Sequence, residues 1–356
     1  MNIRDKKYYL NQFSIGLVKL DCWLSFKLGR NNKKHLEDVA QGFNPFRILR
    51  FERIVSPETL IYPIAASRFV RPETFRMQMS FISKNFNVIS LSELIKLIVT
   101  NQVIPPRTVV VTFDYGYTDF INNAYPILKE FNVPATLFLP VDCIGTNDAS
   151  WIDFVVSTIV GLAGMESPIL HNQKIRSYIS DSLIGDKIPK EQSMEVASRL
   201  IEEYSLATKQ QKRELTDALN EIVEDKKIFI ERQFMDWGEI SKINQEGGVE
   251  FGICGLSCDP MLDLKEGELL RDIVSTTKRT KLHDLKLVSA FSFPEGYFEE
   301  RYLNELSAVS VQVALGWGDA FMPPISFNGV TKMLGRVLVM EGLANTDYMF
   351  ENLILI

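Results

Sequence analysis

The stretch VVVTFDYGYTDF, residues 109–120, decides how this chain is read. It opens on a β-branched apolar run, the composition of a strand covered on both faces. Asp114 ends the run, and Tyr115, Gly116 and Tyr117 follow. Gly116 permits a sharp exit, because glycine takes positive φ without steric cost. A carboxylate at such a place either starts a turn or does chemistry. In α/β barrels the catalytic groups gather at the C-terminal strand ends, where loops vary without disturbing the core.

Working outward, similar buried runs recur at 48–55, 108–113, 135–140, 249–253, 288–293, 311–315 and 336–339, bounded by Gly, Pro or charge. Amphipathic segments lie between them. Phe75, Met79, Ile82 and Phe86 repeat at helical spacing, as do Phe120, Ala124, Ile127 and Phe131. Thr118 or Asp119 is placed to cap the second helix. Strands alternating with helices predict an α/β protein with a mostly parallel sheet, and about seven such strands can close into a barrel. From 154 to 233 the chain turns charged and helix-favouring, which reads as a helical insertion. Residues 1–44 read as an N-terminal helical segment, with Phe13, Leu17, Leu20, Trp23 and Leu24 near helical spacing, packed on the domain or lying on a membrane surface.

The 356 residues carry 46% hydrophobic and 24% charged side chains, with a net charge of −6. That balance argues against a nucleic-acid binder, which needs a basic face. No apolar run reaches the ~20 residues of a transmembrane helix. No export signal is evident, so a cytoplasmic location is expected, peripheral to a membrane if the N-terminal segment binds one. The cysteines Cys22, Cys143, Cys254 and Cys258 are then expected to be reduced.

The segment TFDYGYTDFINNAYPILKEFNVPATLFLP resembles the opening signature of the polysaccharide deacetylase family, the NodB-homology carbohydrate esterases. PETFRMQMSFISKNFNVISLSELIKLI precedes it, and WIDFVV, MDWGEISKINQEGGVEFGICGLSCDPML, LVSAFSFPEGY and MLGRVLVM follow in the family's order. The resemblance covers about 45–354, most of the chain, and implies a distorted (β/α)7-type barrel over 45–356. It also implies removal of acetyl groups from sugars. A divalent metal held by one aspartate and two histidines polarises the acetyl carbonyl and activates water. A second aspartate is the general base, and a backbone N–H holds the oxyanion.

Carried over position by position, Asp114 stands at the general base and Tyr115 at the metal-binding aspartate. Cys254 and Cys258 stand at the two histidines. Pro294 and the backbone N–H of Glu295 fall at the oxyanion position, and Glu52 stands where a first-strand histidine is common. All three metal-ligand positions are substituted. The histidines His35, His171 and His283 lie outside the motifs. Three readings of Cys254 and Cys258 stay open: a zinc-binding pair, a disulfide, or small buried side chains filling the space of imidazoles. Asp114 with Glu295 could form a metal-free acid/base pair, and Asp153 is a further carboxylate near the cleft. Trp151, Phe293 and Tyr297, with Tyr115 and Pro294, are candidates to border a sugar.

The expectation is a deacetylase-like protein of carbohydrate or cell-envelope glycan metabolism that lacks the family's metal-dependent deacetylation, holds no metal cofactor and retains a glycan- or partner-binding cleft. It would bind an acetylated sugar or polysaccharide, or a protein partner through the insertion. The alternative is an active N- or O-deacetylase using Asp114 as base at an atypical site.

Overall fold

The structure, a computed structural model, describes residues 24–40, 46–166, 187–207, 209–258, 261, 264–296, 298–317, 325–326 and 331–355. Among these, seven parallel strands close into a ring. β1 (Phe46–Phe51) pairs with β2 (Thr108–Asp114), and β3 (Ala135–Leu139), β4 (Val249–Ile253), β5 (Leu287–Ser292), β6 (Val313–Trp317) and β7 (Lys332–Leu338) follow in chain order. β7 returns to β1 through Leu49 opposite Val337. β1, β2 and β3 are buried along their whole length, as their unbroken apolar runs require.

Outside the ring run α1 (Arg30–Ala40), α2 (Pro72–Asn85), α3 (Leu91–Val99), α4 (Tyr125–Phe131), α5 (Trp151–Leu162), α6 (Ser193–Leu206), α7 (Lys209–Lys226), α8 (Trp237–Glu246), α9 (Glu268–Lys281), α10 (Tyr302–Ala308) and α11 (Asp347–Leu355). α2 buries Phe75, Met79 and Ile82, the stripe read from the sequence. α8 starts on a reciprocal cap in which Asp236 and Glu239 each bind the other's backbone N–H. No helix among the described residues is long and apolar enough to cross a membrane.

Two local expectations are corrected. The strand expected over 48–55 ends at Phe51; Arg53 and Ile54 leave the barrel and pair with Phe69 and Val70. Asp119 does not cap the following helix. Its carboxylate instead accepts from Arg53 Nε at 2.6 Å and from the Ile54 N–H at 3.0 Å. The chain after it opens as a wider π turn, Phe120–Ala124, before α4. One preference explains both: a buried Asp119 needs Arg53, and the pairing turns that short segment away from the barrel.

Within 154–233, α6 and α7 pack on α5 through Ile159, Leu162, Leu200, Leu215, Leu219 and Ile222, a core distinct from that of the barrel. Residues 167–186 lie outside the described residues, as do Cys22 and the stripe from Phe13 to Trp23. Close approach of β3 and β4 demands glycine at 252, because a Cβ there would meet the Phe138 ring at 2.4 Å.

Candidate functional site at the barrel mouth

Asp114 closes β2 at the barrel mouth, where its side chain is 1% exposed. Arg336 of β7 grips it with both terminal nitrogens, Nη1 to Oδ1 at 2.8 Å and Nη2 to Oδ2 at 2.9 Å. Arg50 of β1 donates through Nε to Oδ2 at 2.6 Å, and Ser292 of β5 donates its hydroxyl to Oδ1 at 3.0 Å. Four donors thus meet the roughly four lone-pair sites of one carboxylate. Burial alone would raise the Asp114 pKa, but the guanidiniums of Arg336 and then Arg50 outweigh it and hold the carboxyl below its ordinary range. A general base needs affinity for a proton and a lone pair aimed at one, and here both are spent.

Tyr115, the next residue, turns back across the mouth. Its backbone has φ of +77°, and Glu295, its partner, has φ of +52°. Both lie where side chains other than glycine are strained. The Tyr115 hydroxyl accepts the Glu295 backbone N–H at 3.0 Å and donates to Glu295 Oε1 at 2.9 Å. Burial, and then the nearby Glu295 charge, push the phenol pKa well up, so the hydroxyl keeps its proton. The N–H expected to face an oxyanion therefore faces a phenol.

A second charged layer sits beside the first. Arg68 pairs with Glu52 and donates to Asp153 Oδ1 at 3.0 Å and to the Tyr117 hydroxyl at 2.9 Å. Tyr117 donates to Asp153 Oδ2 at 3.1 Å. Burial pushes the Asp153 carboxyl up, but Arg68 and Arg53 outweigh it and hold it low. Burial pushes the Glu52 carboxyl up, and Arg68 only partly opposes it. The guanidiniums of Arg50, Arg53, Arg68 and Arg336 thus meet the carboxylates of Glu52, Asp114, Asp119, Asp153 and Glu295. Near balance of sign is what makes such burial bearable, since an unpaired ion in a low-dielectric interior costs several kcal/mol.

The divalent metal implied by the resemblance does not fit this donor set. At position 115 the phenol keeps its proton and is committed to Glu295. Burial, reinforced by Asp114, pushes the Cys254 thiol well up, against the thiolate that binds zinc. The Cys258 Sγ lies 3.9 Å from that of Cys143. Among the described residues no three His, Cys, Asp or Glu side chains converge to hold a metal ion. Arg50 and Arg336 place positive charge on the carboxylate that would have to steady a cation's water.

The remaining candidates separate. Trp151 opens α5 and stacks on Tyr204 of α6 at 4.4 Å. It lines a cavity of about 390 Å³ with Phe154, Asn147, Asn220, Cys143 and Cys258. Phe293 is instead in the core, 0% exposed against Phe291 and Phe298, and so not on a cleft wall. Pro294 is buried in the turn that carries Glu295. Tyr297 and His171 lie outside the described residues. His35 is buried and accepts the Arg107 N–H at 3.3 Å; His283 stacks on Trp237 at 3.9 Å. Sequence reasoning assigned no role to Arg50, Arg68, Ser292 or Arg336. The available signal was an arginine inside an apolar strand run, in ILRF and LGRVLV, since a charge buried on both faces must find a partner.

Residues 101–160, which hold β2 and β3, match the family model described as polysaccharide deacetylase. A search of curated protein sequences gives no match. IcaB from Ammonifex degensii superposes with a TM-score of 0.50 at 13% identity, over 86% of this chain and 97% of that one. BC0361, a polysaccharide deacetylase from Bacillus cereus, gives 0.50 at 12% identity, over 85% and 68%. The Streptococcus pyogenes deacetylase PplD in complex with acetate gives 0.49 at 13%, over 85% and 95%. The chain shares the NodB-like barrel of polysaccharide deacetylases and carries that family's sequence pattern around β2.

Proposed function

We propose that this chain is a deacetylase-fold protein of carbohydrate or cell-envelope glycan metabolism that has exchanged metal-dependent hydrolysis for binding. One observation carries the reading. The carboxylate at the general-base position is saturated by Arg336, Arg50 and Ser292, while the N–H at the oxyanion position is taken by the Tyr115 hydroxyl. The base position is thus committed to two arginines and a serine, and the metal-ligand position and the oxyanion donor to each other. A ligand role for the cavity beside Trp151 is supported by its mixed lining. Aromatic faces from Trp151 and Phe154 can pack on the C–H face of a sugar, and Asn147, Asn220 and Ser257 offer hydrogen bonds.

The experiment joins metal analysis of the purified protein, acetate release from N- and O-acetylated oligosaccharides, and calorimetric binding of the same oligosaccharides. The expected result is no stoichiometric zinc, no acetate, and binding that weakens tenfold or more in Trp151→Ala. Acetate release that disappears in Asp114→Asn would instead establish an active deacetylase with Asp114 as its base.

A further inference from the structure

We propose that Cys143 and Cys258 form a peroxide-sensitive disulfide pair, reduced in this structure, in the wall of the cavity beside Trp151. The inference is independent of the function proposed above. The two residues are 115 positions apart in the chain, yet their Sγ atoms lie 3.9 Å from each other. Their backbones are already locked together. The parallel pairing of β3 and β4 continues past both strand ends, Val141 donating to the Gly255 carbonyl at 3.4 Å and Asp142 to that of Leu256 at 2.8 Å. Cys143 follows one residue later and Cys258 two. Bonded sulfurs sit about 2.05 Å apart, so the thiols must close by about 2 Å. The closing motion is rotation of the two side chains about χ1.

The cavity also gives access. Both thiols line the 390 Å³ cavity between the barrel loops and the insertion, so a small oxidant can reach them. Cys254 is 0% exposed and has no part in that wall. Cys254 and Cys258 are both buried, as the reading of small side chains in the space of imidazoles expects, and the sulfur neighbour of Cys258 is Cys143.

The oxidant is a peroxide. The more exposed thiol, Cys143, attacks as its thiolate, and the O–O bond breaks to give a sulfenic acid and hydroxide. The hydroxide takes the proton that Cys143 lost. Cys258 then attacks the sulfenic sulfur, the S–O bond breaks, and the departing hydroxide takes the Cys258 proton. Two thiols and one hydrogen peroxide become one disulfide and two waters. The bond ties the loop after β3 to the loop after β4 and fixes one wall of the cavity, while α5–α7 form the other.

The test uses the full chain carrying Cys22→Ser, treated with hydrogen peroxide under native conditions, alkylated and peptide-mapped without reductant. The expected result is one crosslink joining the Cys143 and Cys258 peptides, with a loss of about 2 Da that dithiothreitol reverses. Adding Cys258→Ser should leave Cys143 without a crosslink, and its sulfenic acid trapped by dimedone. A Cys254–Cys258 crosslink would overturn the proposal. So would over-oxidation of either thiol with no crosslink, or inertness of both until the chain is unfolded.

Discussion

The Tyr115 hydroxyl and Glu295 hold each other twice: the phenol oxygen accepts the Glu295 backbone N–H at 3.0 Å, and its proton goes to Oε1 of the same residue at 2.9 Å. Both residues sit at positive φ, so each carries local strain that the mutual bonds help to offset. Tyr115→Phe removes both bonds while keeping the ring. It leaves a half-buried N–H without its acceptor and is expected to cost about 1–3 kcal/mol, read as a lower urea midpoint at unchanged slope. Unchanged stability would mean that water substitutes for the phenol and that the mouth is wetter than the geometry implies.

Arg336→Met tests the clamp on Asp114. The methionine fills part of the space but strips two of four donors from a buried carboxylate, at an expected cost of about 3–5 kcal/mol. The variant also changes the response to acid. Asp114 has a folded pKa held below its unfolded value, so its contribution is complete above the unfolded value near 4 and is lost as pH falls through the folded one. Losing Arg336 raises the folded value and should flatten the fall in stability between about pH 5 and pH 2.

Restoring the family's ligand types tests whether the guanidiniums have displaced the metal. Tyr115→Asp, Cys254→His and Cys258→His together are expected to leave cobalt and zinc binding weak, because Arg50 and Arg336 still hold Asp114. Adding Arg336→Leu should strengthen binding at least tenfold, followed by cobalt absorbance. Tight binding by the triple variant alone would show that the arginines do not oppose a cation.

Asp272 predicts the opposite pH behaviour. Burial pushes its carboxyl up to about 6, against hydrogen bonds from the Leu256 N–H and the Thr276 hydroxyl. Its folded state holds the proton more tightly than its unfolded state, so stability falls as pH rises from about 4 to about 6. Asp272→Asn keeps an acceptor and removes the titration. It should be more stable than the parent above pH 6 by about 2–3 kcal/mol, and flat across the window. A parent-like slope in this variant would assign the titration to another group.

Much of the barrel was legible. The runs at 108–113, 135–140 and 249–253 fall on β2, β3 and β4, because strands buried on both faces must be apolar throughout, and that pattern is local. The spacing of Phe75, Met79 and Ile82 marked the buried face of α2 for the same reason. The local pattern misled at Arg53 and Asp119, because the deciding partner lay 66 residues along the chain. The approach of Cys143 to Cys258, 115 residues apart, left no local signal for the same reason.

The order of residues by itself determined the ring of strands and helices and the identities at the mouth: an aspartate with a tyrosine beside it, and cysteines where histidines are the family's habit. Periodicity and composition suffice for the strands and helices, because hydrophobic burial depends on which face a residue occupies, and the resemblance supplied the positions at the mouth. Only the closed barrel decided what those side chains do. It brought Arg50 from 64 residues away and Arg336 from 222 residues away onto one carboxylate, and the Tyr115 phenol onto a turn 180 residues distant. Ion pairs and hydrogen bonds act over a few ångströms, so their partners are chosen by where the folded chain returns and leave no periodic trace along its length.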